Sequence, residues 1–373
     1  MSRVRIAAAL ALWSVGAISH AAAPPATESP PSIEAQVDKF FDALDSTHSP
    51  GCSLAVIRNG EIVYERGYGM ADLEHNVAIT PQSILYAASV SKQFTGAAIA
   101  LLEQQGKLAA DDDVRKYVPE LPRYRQTVRL HHLIHHTSGI PDYLELWSNS
   151  GHSFMESLSH AEALALIAAQ KKLQFQPGEK FSYSNSGYFL LSLIVERASG
   201  QTLRQFAEVN LFKPLGMTHT QFYDDATQLV PNRAFGYERR EDGSLSRVHT
   251  TFALVGDGGL LTSVQDLAVW DRHFDKNPDA AGGATLVTKQ LSRRSLNSGA
   301  ENNYAYGLSV GKYRGLPTVE HSGSFIGFNS KYLRFPEQHF SVAALCNLDG
   351  SQPGRMVAQI ADLYLAEAFT EPK

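Results

Sequence analysis

Tyr86-Ala87-Ala88-Ser89-Val90-Ser91-Lys92-Gln93-Phe94-Thr95 is the stretch on which the fold turns. It follows two strand-like runs joined by Asn59-Gly60, a strong hairpin signal. It opens Lys92 to Gln105, a mostly apolar run closed by Gly106, which reads as a buried helix. Ser89 and Lys92 stand three residues apart, on one face of such a helix. A serine hydroxyl is a poor nucleophile at neutral pH, and an amine held neutral nearby can take its proton. Ser-x-x-Lys alone is weak, since about one match is expected by chance in a chain of this length and composition. A second copy, Ser309-Val310-Gly311-Lys312, lies in a strand-like stretch. The plainer reading of the first makes Ser89 or Ser91 a helix cap and Lys92 a solvated side chain.

Outward from this stretch the chain is asymmetric. Before it, Ile33, Val37, Phe40, Phe41 and Leu44 recur at helical spacing, followed by the hairpin from Gly51. After it, Asp111 to Phe252 is mostly helical and loop-rich, with amphipathic segments at Ala161–Gln170, Ser186–Ala198 and Thr202–Leu211. Ser263 and Asp266 make a capping box ahead of Leu267 and Trp270. Asn277 to Ala284 reads as a linker. Tyr304 to Leu348 returns to short strands, and Met356 to Phe369 is a helix. This order predicts an α/β fold of the α+β type, with an antiparallel sheet built from both chain ends and flanked by terminal helices. An all-helical lobe is inserted in it. The sheet lobe is expected over about 32–90 and 285–373, the helical lobe over about 91–284, and the cleft between them is the natural site.

The 373 residues are 43% hydrophobic, enough to bury a sizeable core, and carry a net charge of −5 with both signs interspersed. That distribution argues against a nucleic-acid binder. Arg3 and Arg5 precede an apolar run, Ile6 to Ile18, and small residues Ser19 to Ala23. The pattern is that of a secretory signal peptide over 1–22, cut near Ala21 or Ala22, with a retained anchor as the alternative. A Pro/Ala/Ser-rich linker follows over 23–31. No later segment is apolar enough to span a bilayer. A mature protein of the periplasm or the extracellular space is therefore expected. Cys52 and Cys346 are the only cysteines. In an exported protein they form either a disulfide, if their strands are neighbours, or two small buried apolar residues.

Two further segments carry chemistry. Tyr183-Ser184-Asn185 follows the turn Gln176-Pro177-Gly178: a phenol can relay a proton, and an amide can orient a carbonyl. Taken alone it is an Asn cap beside a packed tyrosine. His321-Ser322-Gly323-Ser324 lies in the C-terminal strands, where Gly323 admits another backbone or a ligand and the imidazole can supply charge or a proton.

Together these motifs resemble the serine β-lactamase and penicillin-binding-protein superfamily, whose members carry Ser-x-x-Lys. The resemblance is to its class C-related branch of β-lactamase-related hydrolases. It covers nearly all of the mature chain and includes His136-Thr137-Ser138-Gly139-Ile140, Pro214-Leu215-Gly216-Met217 and Gly258-Gly259-Leu260. It implies Ser89 as the acylated nucleophile, with Lys92 and Tyr183 sharing its proton. It also implies substrate contact by Asn185, an oxyanion hole from the N–H groups of Ser89 and Ser324, and no cofactor or metal. His321 replaces the Lys that opens this motif in β-lactamases, as in D-aminopeptidase-like and esterase-like members. The expected substrates are small amides, peptides (including peptidoglycan-derived ones) or esters. A true β-lactamase, a D-alanyl-D-alanine carboxypeptidase and a non-turnover penicillin or peptidoglycan sensor are the alternatives. The cluster His131, His132, His135 and His136 has helical metal-ligand spacing but no completing carboxylate or thiol pattern, and reads as structural. Gly256-Asp257-Gly258-Gly259 lacks the Lys of a phosphate cradle. Asp111-Asp112-Asp113 reads as a loop and helix cap.

Overall fold

The hairpin expected after Gly51 forms as strands β1 (Cys52–Arg58) and β2 (Glu61–Tyr68). Asn59 and Gly60 between them have φ of 55° and 75°. A two-residue turn whose twist matches its strands needs this left-handed pair. The structure, a computed structural model, describes Met1 and residues 31–373 apart from 250, 277 and 278. The expected signal peptide and linker lie, but for Met1 and Pro31, outside the described residues. Ile33–Lys373 group as one unit.

Short strands come next. β3 (Met70–Asp72) pairs with β4 (Val77–Ala78), and β5 (Leu85–Tyr86), β6 (Gln221–Phe222) and β9 (Leu260–Thr262) form a three-stranded sheet. β7 (Gly236–Arg239) and β8 (Leu245–Val248) make a separate hairpin. The C-terminal strands are β10 (Ser309–Tyr313), β11 (Leu316–Phe325), β12 (Phe328–Phe335) and β13 (Phe340–Cys346). They join the N-terminal hairpin in one antiparallel sheet of order β10-β11-β12-β13-β1-β2. The two chain ends meet where β1 pairs with β13, with Cys52 opposite Cys346. Those two buried cysteines are joined by a disulfide.

Both faces of this sheet are covered, so β1 and β13 at its centre read as nearly continuous apolar runs rather than alternating ones. Side chains still alternate between faces. Leu54, Val56, Val342 and Ala344 pack with Val37 of α1 (Ile33–Asp38) and with Val357 and Ile360 of α11 (Pro353–Tyr364). Ala55, Ile57, Ala343 and Leu345 join the larger core with Val264, Leu267 and Trp270, from the helix Val264–Lys276 on the opposite face. Burying each large aliphatic side chain here contributes about 1.5–3 kcal/mol.

The insert contains α2 (Lys92–Gln104), α3 (Leu130–Ile134), α4 (Tyr143–Asn149), α5 (His160–Ala168) and α6 (Asn185–Ser199). α2 is buried from Lys92 to Leu102 and packs against α6. The segment expected as one helix over Thr202–Leu211 is α7 (Leu203–Ala207) running through a π-helical turn, Glu208–Phe212, into α8 (Lys213–Leu215). Two expectations about the insert need correction. It is not all helical, because β6 to β9 lie within it. These strands have two to four residues each, too short to show an alternating pattern. Nor does the helical lobe extend unbroken to 284. α9 (Val264–Lys276) leaves it to lie on β1, β2 and β13, and α10 (Gly283–Gln290) returns to α2. A buried polar tie holds α9 to the sheet. Arg334 Nη1 on β12 donates to Asp271 Oδ1 at 2.7 Å, and Tyr332 Oη donates to the same oxygen at 2.6 Å. Among the described residues no helix is long and apolar enough to cross a membrane.

Candidate active site

Ser89 sits in a 3-10 turn, Ala88–Ser91, where the chain leaves the small sheet and enters α2. Ala88, just before it, has φ of 47°, a left-handed conformation that costs a non-glycine residue of order 1 kcal/mol. Strain of this kind persists only when neighbours enforce it. Here Ser91 Oγ donates to Ala88 O at 2.5 Å and accepts from Leu260 N on β9 at 3.1 Å. The tight turn leaves Ser89 partly exposed on a cavity wall while its neighbours are buried.

Lys92 lies one turn on and is fully buried. Its Nζ donates to Ser89 Oγ at 3.1 Å, Asn185 Oδ1 at 2.9 Å and the backbone O of Asp257 at 2.6 Å. These acceptors match the three N–H groups of an ammonium and fix the amine beside the hydroxyl. The Tyr183 ring lies over it, with Nζ 4.8 Å from the ring centroid.

Asn185 is the first residue of α6. Both ends of its amide are engaged: Oδ1 accepts from Lys92, and Nδ2 donates to Asp142 Oδ2 at 2.9 Å. The same Asp142 oxygen accepts from Asn185 N at 2.5 Å, and Asp142 Oδ1 caps α4 through Leu144 N at 2.8 Å. One carboxylate thus ties two helix starts together behind Ser89 and Lys92. Asp257 is held in place because Thr95 Oγ1 donates to Gly256 O at 2.8 Å. Its carboxyl is buried, which raises its pKa, while the Lys92 charge opposes that rise. Tyr143 Oη donates to Asp257 Oδ2 at 3.0 Å.

The opposite wall is β11. A Cβ on Gly323 would stand 2.4 Å from Ser330 Oγ, 2.5 Å from Ala87 O and 2.8 Å from Ser89 N. Only glycine lets this strand lie against the turn that carries Ser89. Ser324 follows on the cavity side, so the N–H groups of Ser89 and Ser324 belong to the two facing walls. His321 is buried and uncharged. Its Nδ1 donates to Ser322 O at 2.6 Å and its Nε2 accepts from Tyr304 Oη at 2.8 Å. Burial first, and then the Lys92 charge, hold its pKa at about 3. The imidazole therefore supplies no positive charge to the cavity at neutral pH.

The structure brings Ser89, Tyr183, Asn185, His321, Gly323 and Ser324 to one cavity of about 620 Å³. Lys92 lies beneath it. Tyr86, Phe252, Leu254 and Phe325 give it an apolar wall, and exposed Arg355 is at its edge. Sequence reasoning missed Asp142, Tyr143, Tyr304 and the carbonyl of Asp257. The glycines around Asp257 carry part of the family resemblance, but nothing in them marks the Asp257 carbonyl as a partner of Lys92. Ser309 and Lys312 sit on the edge strand β10, where residues three apart face opposite sides. His136 packs its ring 4.3 Å from that of Tyr183 and accepts from Ser184 N at 3.1 Å through Nδ1, so it supports the site from within. Asp113 accepts from Arg115 N at 2.8 Å as a cap.

An antiparallel sheet closed against a helical insert, with Ser-x-x-Lys at their junction and Tyr-Ser-Asn facing it, defines the serine β-lactamase and penicillin-binding-protein class. The Beta-lactamase family model matches residues 37–366, and the chain belongs to that family. It is 28% identical over 318 residues to a D-aminopeptidase of Gluconobacter oxydans (strain 621H), covering 85% of this chain and 59% of that one. It is 29% identical over 331 residues to Protein flp of Staphylococcus aureus (strain N315), covering 87% and 65% respectively. The chain thus spans about three fifths to two thirds of these relatives' length. Among solved structures, the octameric penicillin-binding protein homologue from Pyrococcus abyssi superposes with a TM-score of 0.79 at 28% identity, over 89% of this chain and 77% of that one. A D-amino acid amidase from Ochrobactrum anthropi SV3 shares the fold with a TM-score of 0.73 at 20% identity, over 90% and 99%.

Proposed function

We propose that this protein is an exported serine hydrolase that cleaves small amides or peptides through an acyl-enzyme on Ser89. The observation that carries the reading is the 3.1 Å contact from Lys92 Nζ to Ser89 Oγ, made by a lysine that Asn185 and Asp257 hold in place. Ser89 Oγ attacks the substrate carbonyl carbon, and its proton passes to the Lys92–Tyr183 pair, which accepts it in the state where one of its two groups, the amine or the phenol, has already given up a proton. The carbonyl oxygen becomes an oxyanion held by the N–H groups of Ser89 and Ser324. The pair returns the proton to the leaving amine as the C–N bond breaks. Water then attacks the ester, and Ser89 leaves with its proton restored.

Amides come first because the relatives include a D-aminopeptidase, so D-aminoacyl amides and short D-peptides lead the panel. The apolar wall of Phe252, Leu254 and Phe325 suits an apolar side chain on the substrate. Penicillins come last, because a neutral His321 offers their carboxylate no fixed charge. Export rests on the N-terminal pattern of basic, apolar and small residues, and a disulfide at Cys52–Cys346 fits an oxidising compartment.

The purified mature protein and Ser89→Ala would be assayed on D- and L-aminoacyl amides, a p-nitrophenyl short-chain ester, a chromogenic cephalosporin and a fluorescent penicillin. Amide turnover that vanishes in Ser89→Ala is expected. Equal activity in both proteins would sink the mechanism, and stable penicillin labelling without turnover would make the protein a sensor.

A further inference from the structure

While His136 packs against Tyr183, its neighbours His131, His132 and His135 line a second cavity, of about 350 Å³. These three histidines form its buried floor, and the exposed Arg129 and Arg294 stand at its rim with Gln126, Thr127 and Asn297. At roughly 30 Å³ per water, the space holds about ten waters, or a small solute.

The charge of the lining is unbalanced. It holds two guanidinium groups and one carboxylate, that of Asp111. Arg294 Nη1 donates to Asp111 Oδ1 at 2.9 Å, and Arg129 Nη1 donates to the Asp111 backbone O at 2.5 Å. Among the described residues each guanidinium thus uses one of its five N–H groups. The histidines add donors without adding charge. Arg129 N donates to His132 Nδ1 at 3.0 Å, so a neutral His132 carries its proton on Nε2. His135 Nδ1 donates to Tyr304 O at 2.9 Å. Burial holds His131 at about 2 and His132 and His135 at about 4, and the Arg294 charge pushes each the same way. The ring nitrogens do not converge on a metal position. Among the described residues that convergence occurs only in Asp72, Glu74 and His75.

A polar cavity with surplus positive charge and unspent planar donors suits an acceptor-rich, multiply charged ligand. We infer that this cavity binds a small oxyanion between Arg129 and Arg294, above the floor of His131, His132 and His135. Phosphate and small polycarboxylates share the required chemistry, and both are small enough to enter.

Calorimetric titration of the full mature chain with inorganic phosphate, and separately with citrate, tests this against chloride at matched ionic strength. The two arms tell a phosphate source from a carboxylate one. Saturable one-site binding of at least one anion is expected. Arg294→Gln, which removes a charge-assisted contact, weakens it at least about tenfold. Thr127→Glu, which places a carboxylate at an exposed rim position, does the same and decides the matter should Arg294→Gln unfold. Arg240→Gln, at an exposed arginine outside the cavity lining, leaves binding unchanged. Absence of saturable heat with both anions, or an equal loss in Arg240→Gln, overturns the inference.

Discussion

Asp142 Oδ2 accepts from both the backbone N–H and the side-chain amide of Asn185, at 2.5 and 2.9 Å. This orients Asn185 Oδ1 toward Lys92 and fixes the start of α6. Asp142→Ala removes both contacts while leaving Ser89, Lys92 and Tyr183 unchanged. Amide turnover is expected to fall about 10–100-fold, the scale for losing a residue that orients a reacting group. The lost cap on α4 costs about 1 kcal/mol more in stability. Steady-state kinetics together with thermal melting separate the two effects. Unchanged turnover would show that Asn185 keeps its place unaided.

Gly323 touches the nucleophile turn so closely that one methyl group decides the site. Gly323→Ala would put a Cβ 2.8 Å from Ser89 N and 2.5 Å from Ala87 O, both backbone atoms that cannot rotate away. Either β11 or the turn must shift, at a cost of about 1–3 kcal/mol. The walls that carry the two oxyanion N–H groups then separate. A loss of kcat of about 10²–10³-fold is expected, as when an oxyanion donor is lost. A folded Gly323→Ala protein with normal kcat would remove β11 from the oxyanion hole.

The site was legible where its chemistry is local. Ser89 and Lys92 sit one helical turn apart, and that spacing is written in the sequence. Tyr183, Asn185 and His321 lie in short segments that stand out only through the family resemblance, and the structure brings them to the cavity that Ser89 lines. Asp142 and Asp257 were not. Asp142 precedes a helix as many caps do, and nothing local says that its other oxygen reaches residue 185. Asp257 acts on Lys92 through a backbone carbonyl, which every residue possesses. The fold shows the same division. The large sheet was readable because β1 and β10 to β13 have five to ten residues each. The shift of α9 onto that sheet depends on Arg334 finding Asp271, a contact across 63 residues.

That contact has a stability signature. Arg334 is 3% exposed and Asp271 fully buried, so Arg334→Met strands a carboxylate beneath α9. Breaking one partner of such a pair costs about 3–5 kcal/mol. Replacing both, as Arg334→Met with Asp271→Leu, is expected to recover part of the loss, because the fully buried Asp271 charge is gone while Asp275, which Arg334 Nη2 also contacts at 2.5 Å, keeps His339 Nδ1 at 3.0 Å. Urea unfolding of the two proteins checks this. A single variant as stable as the parent would show that the pair holds nothing.

Six histidines give the protein a steep acid flank. Burial lowers His132, His135 and His273 to about 4, His321 to about 3 and His131 to about 2, and holds His136 well below its ordinary value. Their unfolded value is about 6.5. Between the folded and unfolded values the unfolded chain binds more protons, so stability rises with pH in that window and falls as the solution is acidified. Each histidine contributes at most about 1.4 kcal/mol per pH unit. The contribution is complete above about pH 6.5 and is lost as the pH falls to about 4 for His132, His135 and His273, and further down for His321 and His131. The urea midpoint is therefore expected to drop steeply from pH 7 to pH 4.5, where most carboxylates are still ionised. His273→Gln, in α9 and outside the cavity lining, should shallow that slope without altering turnover. A flat midpoint over this range would mean that the buried imidazoles keep their protons in the folded state. His321 would then carry charge into the active site after all, and penicillins would return to the front of the substrate panel.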